Sequence, residues 1–284
     1  MPELPEVEVL VRHLAPLLPG KKIREVRVHR RRVIEPTRMK ELERRLRGAT
    51  FREVERRAKY ILFHLRASRD GAPLKLLGHL GMAGRFYLLR KARPLPKHTA
   101  VVLDLGREHF VYEDTRYFGR FTLDTSALAR LGPEPLGEDF TFEHLASALK
   151  RSSQPIKVKL LDQSVVAGMG NLYASEALFR ARISPHIPAR RLTLGQIRRL
   201  RQAIRAVLTE AIECGSTVPL NFSGVGGRDG LFYFGRAPGT PDFYNERLRV
   251  YDREGKRCVH CGAVIRRITQ AARSTYYCPR CQGG

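Results

Sequence analysis

The chain opens Met1-Pro2-Glu3-Leu4-Pro5-Glu6-Val7-Glu8, and loss of Met1 would leave the secondary amine of Pro2 as the N-terminus, followed at once by carboxylates. An unprotonated amine can attack an electrophilic carbon such as C1′ of a sugar and form a Schiff base. A neighbouring carboxylate can then carry the proton such a step releases or needs. The same residues equally suit the first turn of an ordinary helix, where proline is tolerated and acids are favoured by the dipole. A helix N-terminus disfavours a protonated Pro2, whereas the carboxylates favour one. A second set of reactive side chains lies at the other end. Cys258-x-x-Cys261 and Cys278-x-x-Cys281 have the spacing of a four-cysteine zinc site. Disulfides and a redox pair fit a reducing compartment and a duplicated CxxC poorly. Four thiolates fill a tetrahedral shell and leave no open position for an activated water, so the expected Zn²⁺ is structural, one per chain, with no organic cofactor. A module of about Val250 to Gly284 is too small to fold without it. The fifth cysteine, Cys214, is expected to pack at a helix end.

Composition says what such chemistry would act on. With 52 Lys+Arg against 28 Asp+Glu among 284 residues, the formal net charge is +24. Such a chain seeks polyanions, nucleic acid first, because Lys and Arg displace condensed counterions from phosphates; ribosomal proteins and tRNA enzymes share this balance. No apolar run reaches the roughly 18 residues needed to span a bilayer, and the acidic opening lacks the basic start of a signal peptide. No membrane partner and a cytoplasmic location are expected. The length and the 43% hydrophobic content allow two domains with real cores.

The elements that must position these residues follow from periodicity. Val7, Leu10, Val11, Leu14, Leu17 and Leu18 recur at helical spacing until Pro19-Gly20. From about Ile23 to Leu123 short β-rich runs such as Tyr60–Leu65, Ala100–Leu105 and Phe110–Tyr112 suggest a sandwich or barrel. Gly132–Gly137 reads as a linker, after which helical periodicity persists to Cys214. Its clearest helix has Thr193 and Gln196 as a capping box, a stripe from Ile197 to Ile212, and Gly215 as terminator. Arg198, Arg199, Arg201 and Arg205 on it are compatible with a solvated face. Asn171 follows Gly168 and Gly170 and suits the cap of a helix over Leu172–Phe179, whose N–H groups form a natural phosphate site. The aperiodic stretch from Val218 to Glu246 is of the long kind that is usually functional.

These residues carry a family resemblance. Pro2-Glu3-Leu4-Pro5-Glu6, Arg56-Arg57-Ala58-Lys59-Tyr60, His79-Leu80-Gly81-Met82, Leu131–Leu136, the run Gly168–Glu176 and the terminal cysteines together resemble bacterial formamidopyrimidine-DNA glycosylases (the Fpg/Nei family) from end to end. The resemblance implies an α+β fold: a catalytic β-sandwich domain with an N-terminal helix at 1–131 and a helix-two-turns-helix DNA-binding domain at 132–219. A lesion-recognition loop and linker would follow at 220–249, then a zinc finger at 250–284. It implies a monomer that binds damaged double-stranded DNA between its domains, removes oxidised purines and nicks the strand. Pro2 would be the nucleophile and Glu3 the proton-transfer residue, with Glu6 nearby. Lys59 would meet a phosphate and the reacting sugar, and Arg273 would grip phosphates flanking the lesion. Lys157, or Lys159 in its place, would hold backbone or lesion, with Asn171 and Tyr173 also at the DNA. Extrusion of a base leaves a gap, which Met82 and Phe118 would wedge while Arg116 bonds the orphaned partner base.

The chain departs from the family pattern in two places. Where the family usually has Asp-Pro-Arg-Arg-Phe-Gly it reads Asp114-Thr115-Arg116-Tyr117-Phe118-Gly119, one arginine fewer beside the wedge. The stretch Asn221–Asn245 also differs from the usual lesion-covering loop. The rival readings are an endonuclease VIII-like enzyme for oxidised pyrimidines and a non-catalytic zinc DNA-binding protein.

Overall fold

A computed structural model of the chain describes residues 2–68, 71–215 and 247–283. The expected loop at 220–249 lies almost wholly outside them. The described residues form two compact units, one containing Pro2, 6–68 and 71–129 and the other Glu3–Pro5, 130–215 and 247–283.

In the first unit, α1 (Leu4–Leu14) buries Val7, Leu10, Val11 and Leu14 and ends before Leu17, which is exposed. Two antiparallel four-stranded sheets follow. One has the order β1 (Glu25–Val28), β6 (Thr99–Asp104), β7 (Glu108–Asp114), β5 (Gly84–Arg90). The other has β2 (Thr50–Arg57), β3 (Tyr60–Arg66), β4 (Pro73–His79), β8 (Arg120–Thr122). The sheets pack through aromatic edges: the Phe63 ring meets Phe86 at 5.7 Å and Phe110 at 5.4 Å, both edge-on, the arrangement that ring quadrupoles favour. The β-rich reading missed one element. Residues Met39–Leu46 form the helix α2, which buries Leu42 and Leu46; eight residues with two buried positions are too short a period to stand out from a broken strand.

In the second unit, α3 (Phe142–Lys150), α4 (Ile156–Lys159), α5 (Asn171–Ala181) and α6 (Leu194–Glu213) share one core that also receives Leu4. α6 carries the expected capping box at Thr193 and Gln196 and buries Ile197, Leu200, Ile204, Val207, Leu208 and Ile212. Its arginines are not all solvated. Arg205 donates to the carbonyls of Pro135, Leu136 and Gly137 at 3.1, 3.2 and 2.9 Å, and Arg201 donates to Phe140 O at 2.6 Å. The linker is thereby strapped to α6. The hairpin β9 (Arg266–Gln270) and β10 (Arg273–Tyr277) completes the unit.

Within the first unit, Glu8 accepts from Arg56 at 2.7 Å and from Arg12 at 2.8 Å. Burial raises its pKa, but these two guanidinium partners outweigh burial and hold it below 4.5. A lowered folded pKa means stability that is present above the unfolded value and lost as pH falls through the folded one. Glu8→Gln should therefore destabilise the protein by about 1–2 kcal/mol at pH 7. The difference from wild type should begin to shrink below pH 4.5 and vanish at lower pH, as read from paired thermal melts.

Candidate active site and DNA interface

Glu3 is 3% exposed and its carboxylate accepts hydrogen bonds from the backbone N–H of Leu172 at 2.9 Å and of Tyr173 at 3.4 Å. These are unpaired donors of the first turn of α5. Glu3 therefore does what was expected of Asn171. The true N-cap, Gly170, contributes no side chain, and the first-turn N–H groups are filled by a carboxylate instead of standing open to phosphate. Close approach is possible only because of two glycines. A Cβ on Gly170 would lie 2.1 Å from Glu3 Cδ, and one on Gly168, where φ is +83°, would lie 2.8 Å from Leu4 Cβ. Gly168 also accepts from Leu4 N at 3.1 Å. Gln163 holds this loop open, accepting from Gly168 N and donating to Met169 O and Leu161 O.

Asn171, released from capping, bridges two elements. Its side-chain carbonyl accepts from the Lys157 ammonium, and its amide donates to Ser274 O on β10 at 2.8 Å. Lys157 is fully buried. Burial, together with the nearby Arg273 charge, pushes its pKa down to about 8 against the opposing pull of Glu3. Lys159, the alternative, is committed to Asp162 at 2.9 Å. Arg273 is exposed on β10, straight after Ala271 and Ala272, both at positive φ (48° and 57°). A two-residue hairpin turn needs that backbone and ordinarily takes Asn or Gly for it. Tyr251 adds a hydroxyl within hydrogen-bonding reach of Asn171; burial first, and then the Glu3 charge, raises its pKa. The cluster thus holds two cations against one carboxylate, the balance of a site that takes up a phosphate. The Tyr173 side chain is fully buried in the helical core, and its backbone N–H donates to Glu3.

Tyr251 and Gln163 were not singled out in the sequence. Tyr251 follows an aperiodic stretch and carries no spacing signal. Its place is fixed by Glu176, a fully buried carboxylate that accepts from the N–H groups of Arg249, Val250 and Tyr251 at 2.8 to 3.2 Å.

The remaining expected residues lie in the first unit. Pro2 is half-buried and precedes α1, while Glu6, in the first turn of that helix, is 2% exposed. Lys59 tops the β2–β3 hairpin, beside Ala58 at φ 55°. His79 senses its charge; burial first, with Lys59 and Arg120 adding to it, depresses the imidazole to about 4. The ring is therefore neutral and accepts Gly81 N–H at Nδ1, which shapes the turn carrying Met82. Met82 and Phe118 are each 44% exposed. The loop beneath Phe118 is tied by buried Asp114, whose carboxylate accepts from Arg116 N at 3.0 Å, Gly119 N at 2.9 Å and the Tyr112 hydroxyl at 3.2 Å.

The four cysteine sulfurs lie within 4.8 Å of one another, with Cys258–Cys281 at 3.8 Å and Cys261–Cys278 at 3.4 Å. A disulfide needs about 2.05 Å, whereas tetrahedral Zn–S bonds of about 2.3 Å place sulfurs roughly 3.8 Å apart. The geometry fits one metal ion, and Cys258 and Cys278 further accept backbone N–H groups of His260 and Cys281. Such an ion holds the finger together and leaves no coordination position for chemistry.

Fold and sites define a basic protein with a four-cysteine finger suited to one metal ion, a buried polar cluster with an excess of cations and a carboxylate at Glu3 pinned on the start of α5. Comparison with known proteins gives the family. Residues 1–121 match the formamidopyrimidine-DNA glycosylase N-terminal domain, 131–221 the formamidopyrimidine-DNA glycosylase H2TH domain, and 255–283 the zinc finger found in FPG and IleRS. The formamidopyrimidine-DNA glycosylase of Thermus thermophilus is 41% identical over 290 residues, covering 100% of this chain and 99% of its own. That of Symbiobacterium thermophilum is 42% identical, covering 99% of this chain and 89% of its own. A Lactococcus lactis Fpg mutant solved with Fapy-dG-containing DNA superposes with a TM-score of 0.86 at 32% identity, with both chains fully covered. The Lactococcus lactis Fpg solved with abasic-site DNA gives 0.84 at 31%, covering 99% and 100%. The chain belongs to the formamidopyrimidine-DNA glycosylase family, enzymes of DNA base excision repair.

Two outcomes test the site. Gly170→Ala should displace Glu3 and reduce turnover by about tenfold or more, whereas Gly195→Ala, whose Cβ would meet nothing nearer than 4.0 Å, should leave it unchanged in the same assay. Chelation should release one metal ion per chain and abolish hydrogen-exchange protection across residues 250–283, with both ion and protection restored by added Zn²⁺.

Proposed function

We propose that this protein is a bifunctional DNA glycosylase and abasic-site lyase that removes 8-oxoguanine and formamidopyrimidines from duplex DNA and cleaves the strand by β,δ-elimination. The observation that carries the reading is Glu3, fixed on the α5 N-terminus beside Lys157 and Arg273 and one bond along the chain from Pro2. The Pro2 amine lone pair forms the bond to C1′ as the bond from C1′ to the damaged base breaks, the base leaving with that electron pair and taking up a proton. Glu3 takes up the proton that the Pro2 nitrogen gives up and delivers it to the sugar ring oxygen, and the opened sugar becomes an iminium on the Pro2 nitrogen. Loss of a C2′ proton then expels the 3′ phosphate, and a second elimination expels the 5′ phosphate. The excess of cations around Glu3 suits the phosphates that bound and leave.

Lys59, Lys157, Asn171 and Arg273 would hold phosphate and sugar in this reading. Exposed Met82 and Phe118 would enter the stack and Arg116 would meet the partner base. Residues 1–131 would then perform the chemistry while 132–219 and 250–284 grip the duplex, and 220–249 would read the lesion. Relatives of this chain have been solved with abasic-site and Fapy-dG DNA, and the +24 charge supports the same partner here.

The test is to add borohydride to the protein with an 8-oxoguanine duplex and to map the reduced adduct by mass spectrometry. The expected adduct is on Pro2, and Glu3→Gln should slow excision by about 10²- to 10⁴-fold. An adduct formed only with an oxidised pyrimidine would transfer the reading to the endonuclease VIII-like alternative, and none on any duplex or abasic site would leave a DNA-binding protein without this chemistry.

A further inference from the structure

Phe118 is an aromatic ring left open to water, and its surroundings are unusual in charge. The Arg116 guanidinium carbon lies 4.9 Å from the ring centroid, and that of Arg32, from a different segment, lies 5.6 Å away. Both are inside the roughly 6 Å reach of a cation–π contact. Beside them Arg30 covers the Tyr117 ring at 5.2 Å. Position 117 is where this chain lacks the arginine of the family pattern, so Arg30 brings a cation back to the place where the sequence lost one.

The segment carrying these arginines is built into the sandwich. Ala100 O accepts from His29 N and Arg30 N at 2.8 and 3.1 Å. Val33 and Ile34 are buried. Thr37 Oγ1 pairs with Thr122 Oγ1 at 2.7 Å and accepts from Leu123 N at 3.0 Å. The backbone is thus fixed on either side of exposed side chains. Among the described residues none of Arg30, Arg32 and Arg116 forms an ion pair with a carboxylate, although other arginines of the unit do. Gathering like charges without counter-ions is unfavourable in the free protein and becomes favourable when a polyanion supplies them.

We propose that Arg30 and Arg32 form a cationic wall beside the wedge: Arg32 is a positioning residue that holds the Phe118 ring ready for insertion, and Arg30, lying on Tyr117, binds a DNA phosphate with the charge that position 117 lacks. This rests on the reading of Phe118 as the wedge. A lysine at position 32 keeps the charge but has no planar guanidinium to lay against the ring, which separates the two tasks.

The test uses the full-length protein and a duplex with an uncleavable abasic analogue opposite 2-aminopurine, whose fluorescence rises when the wedge unstacks it. Arg32→Ala and Arg32→Lys should each reduce that rise by about fivefold, and Arg32→Lys should keep the wild-type dependence of affinity on salt. Arg30→Ala should lower the slope of log affinity against log salt by about 0.9, the value for one phosphate, and Tyr117→Arg in that background should restore it. A wild-type rise that Arg32→Ala and Arg32→Lys leave intact, or a salt slope that Arg30→Ala leaves intact, overturns the proposal while the wedge reading stands. No rise with the wild-type protein sinks the wedge reading itself.

Discussion

The second unit is organised by a carboxylate held on a helix end. Glu3 is joined to Leu172 across 169 residues of chain, and a buried carboxylate with fewer partners would be strongly penalised. Two N–H donors and the partial positive charge of the α5 N-terminus compensate it. Several otherwise unrelated features follow from this one contact: glycine at 168 and 170, the Gln163 side chain spanning the loop between α4 and α5, and Leu4 in the helical core. With the helix end sealed, Asn171 is free to turn its amide toward Lys157 and Ser274. The same arrangement that stabilises α5 thus leaves the Asn171 side chain to join Lys157 to β10.

How much of this can be read from the sequence depends on how local each cause is. The α6 capping box, the first helix, the strand pairs and the cysteine tetrad announce themselves within a few residues, and their places in the structure agree with that reading. Contacts between side chain and distant backbone leave no such trace. Asn171 reads as an N-cap because Asn so often is one, and only Glu3, far off in the chain, changes its role. Arg205 reads as solvated from helical phase alone, yet its guanidinium is taken up by three linker carbonyls. Tyr251 is fixed by Glu176 through backbone N–H groups, a link that spacing and periodicity do not register. The short helix α2 was missed for a different reason, since two buried leucines are too few to establish a period.

The charge of +24 also divides once its partners are known. Arg201, Arg205 and Arg253 donate to backbone carbonyls, and Arg12, Arg56 and Lys91 meet carboxylates. These cations are structural. Those at the proposed sites are placed differently: Lys157 is buried, its pKa lowered first by that burial and then by Arg273, and Arg116 sits on an exposed ring. Bulk charge therefore predicts the class of partner, while unneutralised charge indicates where that partner lies.

The finger shows why a metal with no chemistry of its own can still matter to the chemistry. Gln282 accepts from Cys278 N and donates to Ile183 O, both at 2.9 Å, so the metal-bearing strands are tied to the segment that follows α5. Asn171 ties β10 to the start of the same helix, and Glu176, within it, holds the segment leading into the finger. Two attachments on the eleven-residue helix and one just beyond it place Arg273 relative to Lys157. The turn before Arg273 keeps two alanines at positive φ, a conformation costing on the order of 1 kcal/mol per residue, and a hairpin this short would not hold it alone. A metal held by Cys258, Cys261, Cys278 and Cys281 would close the finger and so steady the turn that carries the Arg273 guanidinium, acting through position alone.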